Sequence, residues 1–161
     1  MLQRIQSLYL FIAAVAFAML FFMNIYKVET KTEPVAVFTI NATVINHFQS
    51  TTTEPIQPLF QLFSFSLNLI SFVLIIVTIF WYKNRVQQNL FARFLILLNS
   101  GLLVVLLLNI DKLKGLVGPI PYNGVYQPGI ALPFISLILI YLASRAIMKD
   151  EKLIRSADRL R

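Results

Sequence analysis

Four apolar stretches, Leu8 to Ile25, Leu59 to Tyr82, Phe94 to Ile110 and Ile130 to Ile147, contain no acidic residue, and Arg145 is the only charged side chain in any of them. A hydrocarbon core ~30 Å thick takes ~20 predominantly apolar residues per helix, with ~17 as the lower limit. Hydrocarbon also offers no water to backbone N–H and C=O groups, so an isolated apolar stretch can cross it only as a helix. The sequence therefore predicts an all-α integral membrane protein: a single domain over residues 1–161, built as a bundle of four transmembrane helices spanning 8–25, 59–82, 94–110 and 130–147. Ala14-Val15-Ala16 and Ala16-Phe17-Ala18 have the small-x-small spacing of a signal-peptide cleavage site, but apolar residues continue to Ile25. The first helix is expected to stay as an uncleaved anchor.

Charge sets the expected orientation. Four spans place both termini on one side, together with the loop 83–93. That side carries Arg4, Lys83, Arg85, Arg93, Arg145, Lys149, Lys152, Arg155, Arg159 and Arg161 against Asp150, Glu151 and Asp158. On the other side Lys27, Lys31, Lys112 and Lys114 are balanced by Glu29, Glu33, Glu54 and Asp111, so the whole net charge of +7 falls on the first. Basic loops resist translocation, which puts both termini and the 148–161 tail in the cytoplasm and the loops 27–58 and 111–128 outside. A basic excess of this kind reads as topology and as contact with anionic lipid, not as nucleic-acid binding.

In the larger exported loop, β-branched residues abound from Val35 to Ile45, and Val35, Val37, Thr39, Asn41, Thr43 and Ile45 alternate with Ala36, Phe38, Ile40, Ala42 and Val44. This composition predicts a short β element, a strand or hairpin, packed on both faces. Gln49 to Pro58 reads as an irregular return. The second exported loop carries Gly115, Gly118, Pro119, Pro121, Gly124 and Pro128, which argue against a continuous helix. Trp81 and Tyr82 mark the inner headgroup level and Tyr122 and Tyr126 the outer one. The third span is short, and recruiting Asn89 to Arg93, with Arg93 snorkelling, would lengthen it.

Polar residues inside spans need partners. Ser64, Asn68, Ser71 and Thr78 share one face of the second span, and Asn99, Ser100 and Gly101 form a small, polar step in the third. They are expected to make interhelical polar contacts, with a solute path along the second-span stripe as the sharper alternative. His47 is the only histidine and cysteine is absent. A metal site needs three or four ligands, so no metal, cofactor or catalytic residue is expected, with Glu29, Glu33 and Glu54 the only conceivable company for His47. Asn41-Ala42-Thr43 matches a glycosylation sequon, which carries little weight alone.

Arg145 to Arg161 lacks Gly and Pro and is rich in helix formers, so the fourth helix is expected to extend into the cytoplasm. Lys152, Leu153, Arg155, Asp158, Arg159, Leu160 and Arg161 make it amphipathic and basic, suited to an anionic leaflet or a partner protein. The opening Met1-Leu2-Gln3-Arg4-Ile5-Gln6-Ser7-Leu8-Tyr9, the junction Tyr82-Lys83-Asn84-Arg85, the Leu132-Pro133 step, and the ending Leu142 to Ile147 through Lys149 to Arg161 resemble a family of small four-helix membrane proteins of Bacteroidetes, catalogued as a domain of unknown function. The resemblance covers essentially the whole chain and implies an inner-membrane location and four helices; it transfers no activity, cofactor or catalytic residue.

Three function classes follow. A non-enzymatic accessory or scaffold subunit of a larger membrane complex, in protein export or envelope machinery, with membrane proteins as partners, fits the absence of converging ionisable groups. A small oligomeric transporter or channel for a neutral or lipid-like solute is the alternative. Proton coupling usually relies on an intramembrane carboxylate or histidine, and the predicted spans contain neither. An enzyme ranks last, because no acid, base and nucleophile come together in the sequence.

Overall fold

A computed structural model describes residues 2–29, 34–40, 43–47, 50–52, 58–82, 84–117 and 123–158. Four helices, α1 (Leu2–Leu20), α2 (Pro58–Phe80), α3 (Arg85–Val117) and α4 (Ala131–Asp158), pack in the cyclic order α1, α2, α3, α4 and back to α1, with α1 against α4 as the most extensive seam. Five strands, β1 (Asn24–Glu29), β2 (Pro34–Thr39), β3 (Thr43–His47), β4 (Ser50–Thr52) and β5 (Asn123–Tyr126), form an antiparallel sheet in the order β4-β3-β2-β1-β5. The protein is thus mostly helical, and the short β element expected in the first exported loop is part of a five-stranded sheet.

Three helices are long and apolar enough to cross a bilayer, within Gln61–Phe80, Arg85–Lys112 and Pro128–Leu153; α1 contributes a shorter apolar helix, Ile5–Leu20. Only 28% to 33% of each long apolar window is buried within the chain, so most of each helix surface must meet lipid or another protein.

The expected first span ran to Ile25, but α1 stops at Leu20. A turn closes it, with Phe21 N donating to Ala18 O and the N–H groups of Phe22 and Met23 to Met19 O. The apolar run then continues as β1, whose Ile25, Tyr26 and Val28 are buried. β1 is inserted between β2 and β5, so both its edges are paired. The core consequently runs without a break from Leu10, Phe17 and Leu20 in α1 into Ile25, Val28, Phe38 and Ile40 in the sheet.

The predicted β element is present and larger than expected. Ala36, Val37 and Phe38 of β2 pair with Ile45, Val44 and Thr43 of β3. Phe38 and Ile40 are buried while Val37 and Thr39 are half-buried, so one face is core and the other only partly covered. The expected irregular return instead contains β4, paired with β3 through Ser50 and His47. The second exported loop also departs from expectation. α3 continues through Asp111, Lys112, Lys114 and Gly115 to Val117, and β5 follows. At 1.5 Å per residue this 33-residue helix is about 50 Å long, well beyond a bilayer core. It needs no thinning of the membrane, because it begins at Arg85 and already includes Asn89 to Arg93.

Local signals explain the helix starts. Asn84 caps α3, its side chain accepting from Gln87 N at 3.4 Å and its carbonyl accepting from Gln88 N at 2.9 Å. Pro58 opens α2 at a position that needs no N–H donor. A 3-10 turn at Pro128–Ile130 leads into α4. There Gly129 lies against the strand: an added Cβ would stand 2.3 Å from the Asn24 carbonyl oxygen.

Candidate functional site

The interior of the helical bundle is more polar than its surface. Buried residues recur at alternating steps of three and four: Gln6, Leu10, Ala13, Phe17 and Leu20 on α1; Gln61, Ser64, Asn68, Ser71, Ile75 and Thr78 on α2; Gln88, Ala92, Leu95, Asn99, Leu102, Leu106 and Asn109 on α3; Ser136, Ile140, Ala143, Ile147 and Asp150 on α4. This is the heptad spacing of a left-handed coiled coil. On α2 every position of that inward stripe except Ile75 is polar, whereas Leu62, Phe63, Leu69, Ile70 and Val73 point outward. A helix with this inversion can expose its apolar side only to lipid or to a membrane partner.

The polar side chains tie each helix to the next. Asn109 Nδ2 on α3 donates to Ser64 Oγ on α2 at 2.8 Å and to its own helix at Val105 O. Asn68 Nδ2 reaches Phe17 O on α1 at 3.4 Å. Asn99 Nδ2 donates to Pro133 O at 2.9 Å and Ser136 Oγ at 2.8 Å, linking α3 to α4. Ser136 Oγ also donates to the Pro133 carbonyl, at 2.9 Å, so that oxygen accepts from both side chains. Ser144 Oγ donates to Asn89 Oδ1 lower in the same seam, and Gln88 Nε2 to Thr78 O across the α2–α3 turn. Gln6 on α1 donates to the Asp150 carboxylate on α4, with both side chains buried.

Of the residues singled out in the sequence, Ser64, Asn68, Ser71 and Asn99 are fully buried. Ser100 is a correction: it is exposed and its hydroxyl turns back to Leu97 O within its own helix, since position 100 falls one step off the inward stripe. Beside it Gly101 faces open space, since an added Cβ would meet nothing within 4 Å among the described residues. Gln6, Gln88, Asn89, Asn109, Ser136, Ser144 and Asp150 join the polar interior without having been anticipated. The heptad continuation from Asn99 points to Gln88 and Asn109; the rest needed the partner helix. Asp150, which falls in the expected cytoplasmic tail, is buried beside α1.

Among the described residues, the buried Asn68 Oδ1, Ser71 Oγ and Asn99 Oδ1 have no protein hydrogen-bond partner, and neither does Asp150 Oδ1. Among the described residues no group of three His, Cys, Asp or Glu side chains is arranged to hold a metal. His47 ends β3, and its side chain lies outside what is described.

The family described as Domain of unknown function (DUF4293) matches residues 2–160. The chain belongs to the DUF4293 family. Comparison with curated proteins finds no match.

In this DUF4293 chain the two ends of the bundle differ. At the sheet end, the Tyr26 and Tyr126 rings meet edge-to-face across β1 and β5 with centroids 5.1 Å apart, and Lys114 from the overhanging end of α3 stands 5.7 Å and 6.0 Å from their centres. Lys114 also pairs with Asp111 at 3.3 Å. Burial works to lower the Lys114 pKa, but the hydrogen bond to Asp111, then Tyr126, Tyr26 and the Asp111 charge together raise it above 10.5. At the opposite end, Arg145 lies 5.8 Å from the Tyr141 ring and Arg93 Nη2 contacts Met148 Sδ at 3.2 Å. α4 continues past this level as a helix to Asp158. Lys152 and Leu153 are exposed on it; Arg155 and Asp158 belong to the helix, their side chains undescribed, and Arg159, Leu160 and Arg161 lie outside the described residues.

Proposed function

We propose that the protein is a non-enzymatic accessory or scaffold subunit of a larger membrane complex, crossing a bacterial inner membrane four times with both termini in the cytoplasm. The observation that carries this reading is the use of the interior polar groups as helix-to-helix hydrogen bonds, while the outward surfaces are apolar and extensive. Interhelical bonds of this kind contribute ~0.6 kcal/mol each on average and serve to fix helix partners. The meeting of Gln6 and Asp150 at the end away from the sheet supports a common side for both termini, and the basic excess of that side favours the cytoplasm. The α1 helix, short for a ~30 Å core, would cross with the buried start of β1 at its outer end. Protein export and envelope assembly are the processes we favour.

Affinity purification from the native membrane in mild detergent, followed by mass spectrometry, tests this. A defined, near-stoichiometric set of co-purifying membrane proteins is expected; recovery alone or as a homo-oligomer would overturn it. Deleting residues 153–161 should leave the protein inserted and remove those partners if the α4 extension is the dock.

A second reading, passage of a neutral or lipid-like solute, draws on the unpartnered Asn68 Oδ1, Ser71 Oγ and Asn99 Oδ1 inside the bundle. Asn68→Leu should then abolish flux through reconstituted vesicles while the helical content is kept. Flux that survives the substitution would mark the stripe as packing.

A further inference from the structure

The α2–α3 turn carries an apolar groove of about 580 Å³, lined by Ile76, Val77, Phe80, Trp81 and Tyr82. That volume lies within the ~300–1,000 Å³ of sites that hold small amphiphilic ligands. Phe80 is 75% and Tyr82 56% exposed, so the lining is open to the surroundings of the bundle. The turn is nevertheless well fixed. Trp81 N donates to Val77 O at 3.0 Å, Asn84 N to Trp81 O at 3.3 Å, and the indole packs on Phe91 with centroids 5.3 Å apart. Indole and phenol rings favour the headgroup level of a bilayer, which places the Trp81 and Tyr82 end of the groove among headgroups and the Ile76 and Val77 end among acyl chains.

The charge around this groove has one sign. From Pro55 to Ile110 the chain has no acidic residue, while Lys83, Arg85 and Arg93 fall within it. Among the described residues neither Arg85 nor Arg93 forms an ion pair, and Arg93 rests on the Met148 sulfur instead of a carboxylate. The Asp150 carboxylate on α4 is engaged with Gln6 of α1. Arg85 opens α3 three residues beyond Tyr82, at the same turn, and a basic residue following directly on an open apolar slot at headgroup depth matches one ligand chemistry: a phosphodiester anion on a long hydrocarbon chain. We propose that this turn is a binding site for an anionic phospholipid, whose acyl chain lies along Ile76, Val77 and Phe80 and whose phosphate is held by Arg85. A zwitterionic lipid fits the slot equally well but brings its own ammonium to the guanidinium, which cancels much of the attraction.

Trp81 is the only tryptophan in the chain, so its fluorescence reports on this site alone. The purified protein is reconstituted into phosphatidylcholine vesicles containing a minor fraction of brominated phosphatidylglycerol or, in parallel, brominated phosphatidylcholine; bromine quenches the indole only from close range. The brominated anionic lipid should reach half-maximal quenching at a mole fraction about five-fold lower, the factor that ~1 kcal/mol per basic contact gives. Arg85→Gln should equalise the two lipids without changing the phosphatidylcholine curve. Lys149→Gln, the same charge change at an exposed position of α4, should keep the preference, and Arg85→Lys should keep most of it. Equal quenching by the two lipids in the unmodified protein would overturn the site. So would an equal loss in Arg85→Gln and Lys149→Gln, which would mark a diffuse surface potential.

Discussion

Gln6 and Asp150, on the first and last helices, meet at one end of the bundle, the Gln6 amide donating to Asp150 Oδ2 with both side chains buried. Gln6→Leu removes the donor and leaves the carboxylate buried with no replacement. A buried polar group left without its partner costs about 1–3 kcal/mol. Unfolding of the protein in mixed micelles should show a deficit of that size. Adding Asp150→Leu to the same chain should recover most of it, because an apolar pair leaves no buried polar group unmatched.

The α3–α4 seam separates Asn99 from its neighbour. Asn99→Leu breaks the bonds to Pro133 O and Ser136 Oγ, and should destabilise the bundle by about 0.6–1.7 kcal/mol, the range for such contacts in membranes. Ser100→Ala, whose hydroxyl serves only its own helix, should fall within about 0.5 kcal/mol of the parent. The same micelle titration distinguishes the two.

Gly129 and Gly101 respond in opposite directions. At Gly129 a methyl group would collide with the Asn24 backbone, forcing the β1 end and the 3-10 turn apart. Gly129→Ala should destabilise by about 1–3 kcal/mol, as overpacking does. At Gly101 there is open space, so Gly101→Ala should stabilise α3 by up to about 1 kcal/mol through helix propensity.

Lys114 gives an alkaline signature. Its folded-state pKa lies above the model-compound 10.5, so its contribution is fully present below the unfolded value and is lost as pH rises through the higher folded one. With the side chain a third exposed, the effect should stay below about 1 kcal/mol. Asp111→Asn should lower the Lys114 pKa in an NMR titration of the lysine Nζ resonances. No change would remove Asp111 as a cause.

Hydropathy made three long helices and the polar face of α2 legible, because lipid leaves an apolar run few alternatives and heptad spacing follows directly from helix geometry. It misjudged Phe21 to Ile25, since a short apolar segment satisfies a helix or a buried strand equally well and only the distant β2 and β5 ladders decide between them. β5 escaped for the same reason: Asn123-Gly124-Val125-Tyr126 reads as a turn until Tyr26 supplies a partner. α3 overran its expected end because Asp111 and Lys114 pair with each other on the emerging helix. The polar pairs of the candidate site could be found only one partner at a time. Asn99 declared itself by its position within a span, whereas Ser136 and Asp150 acquired their meaning from α3 and α1.

The seam between α1 and α4 has a consequence for biogenesis. α1 has as its main neighbour α4, made after α2 and α3, and β1 waits for β5 before its second edge is paired. Until those later segments arrive, the nascent chain presents an amide-bearing helix without its mate and an open strand edge. Closure of the ring is therefore a late checkpoint: a chain arrested before Asn123 would display both defects at once, a ready signature for quality-control proteases.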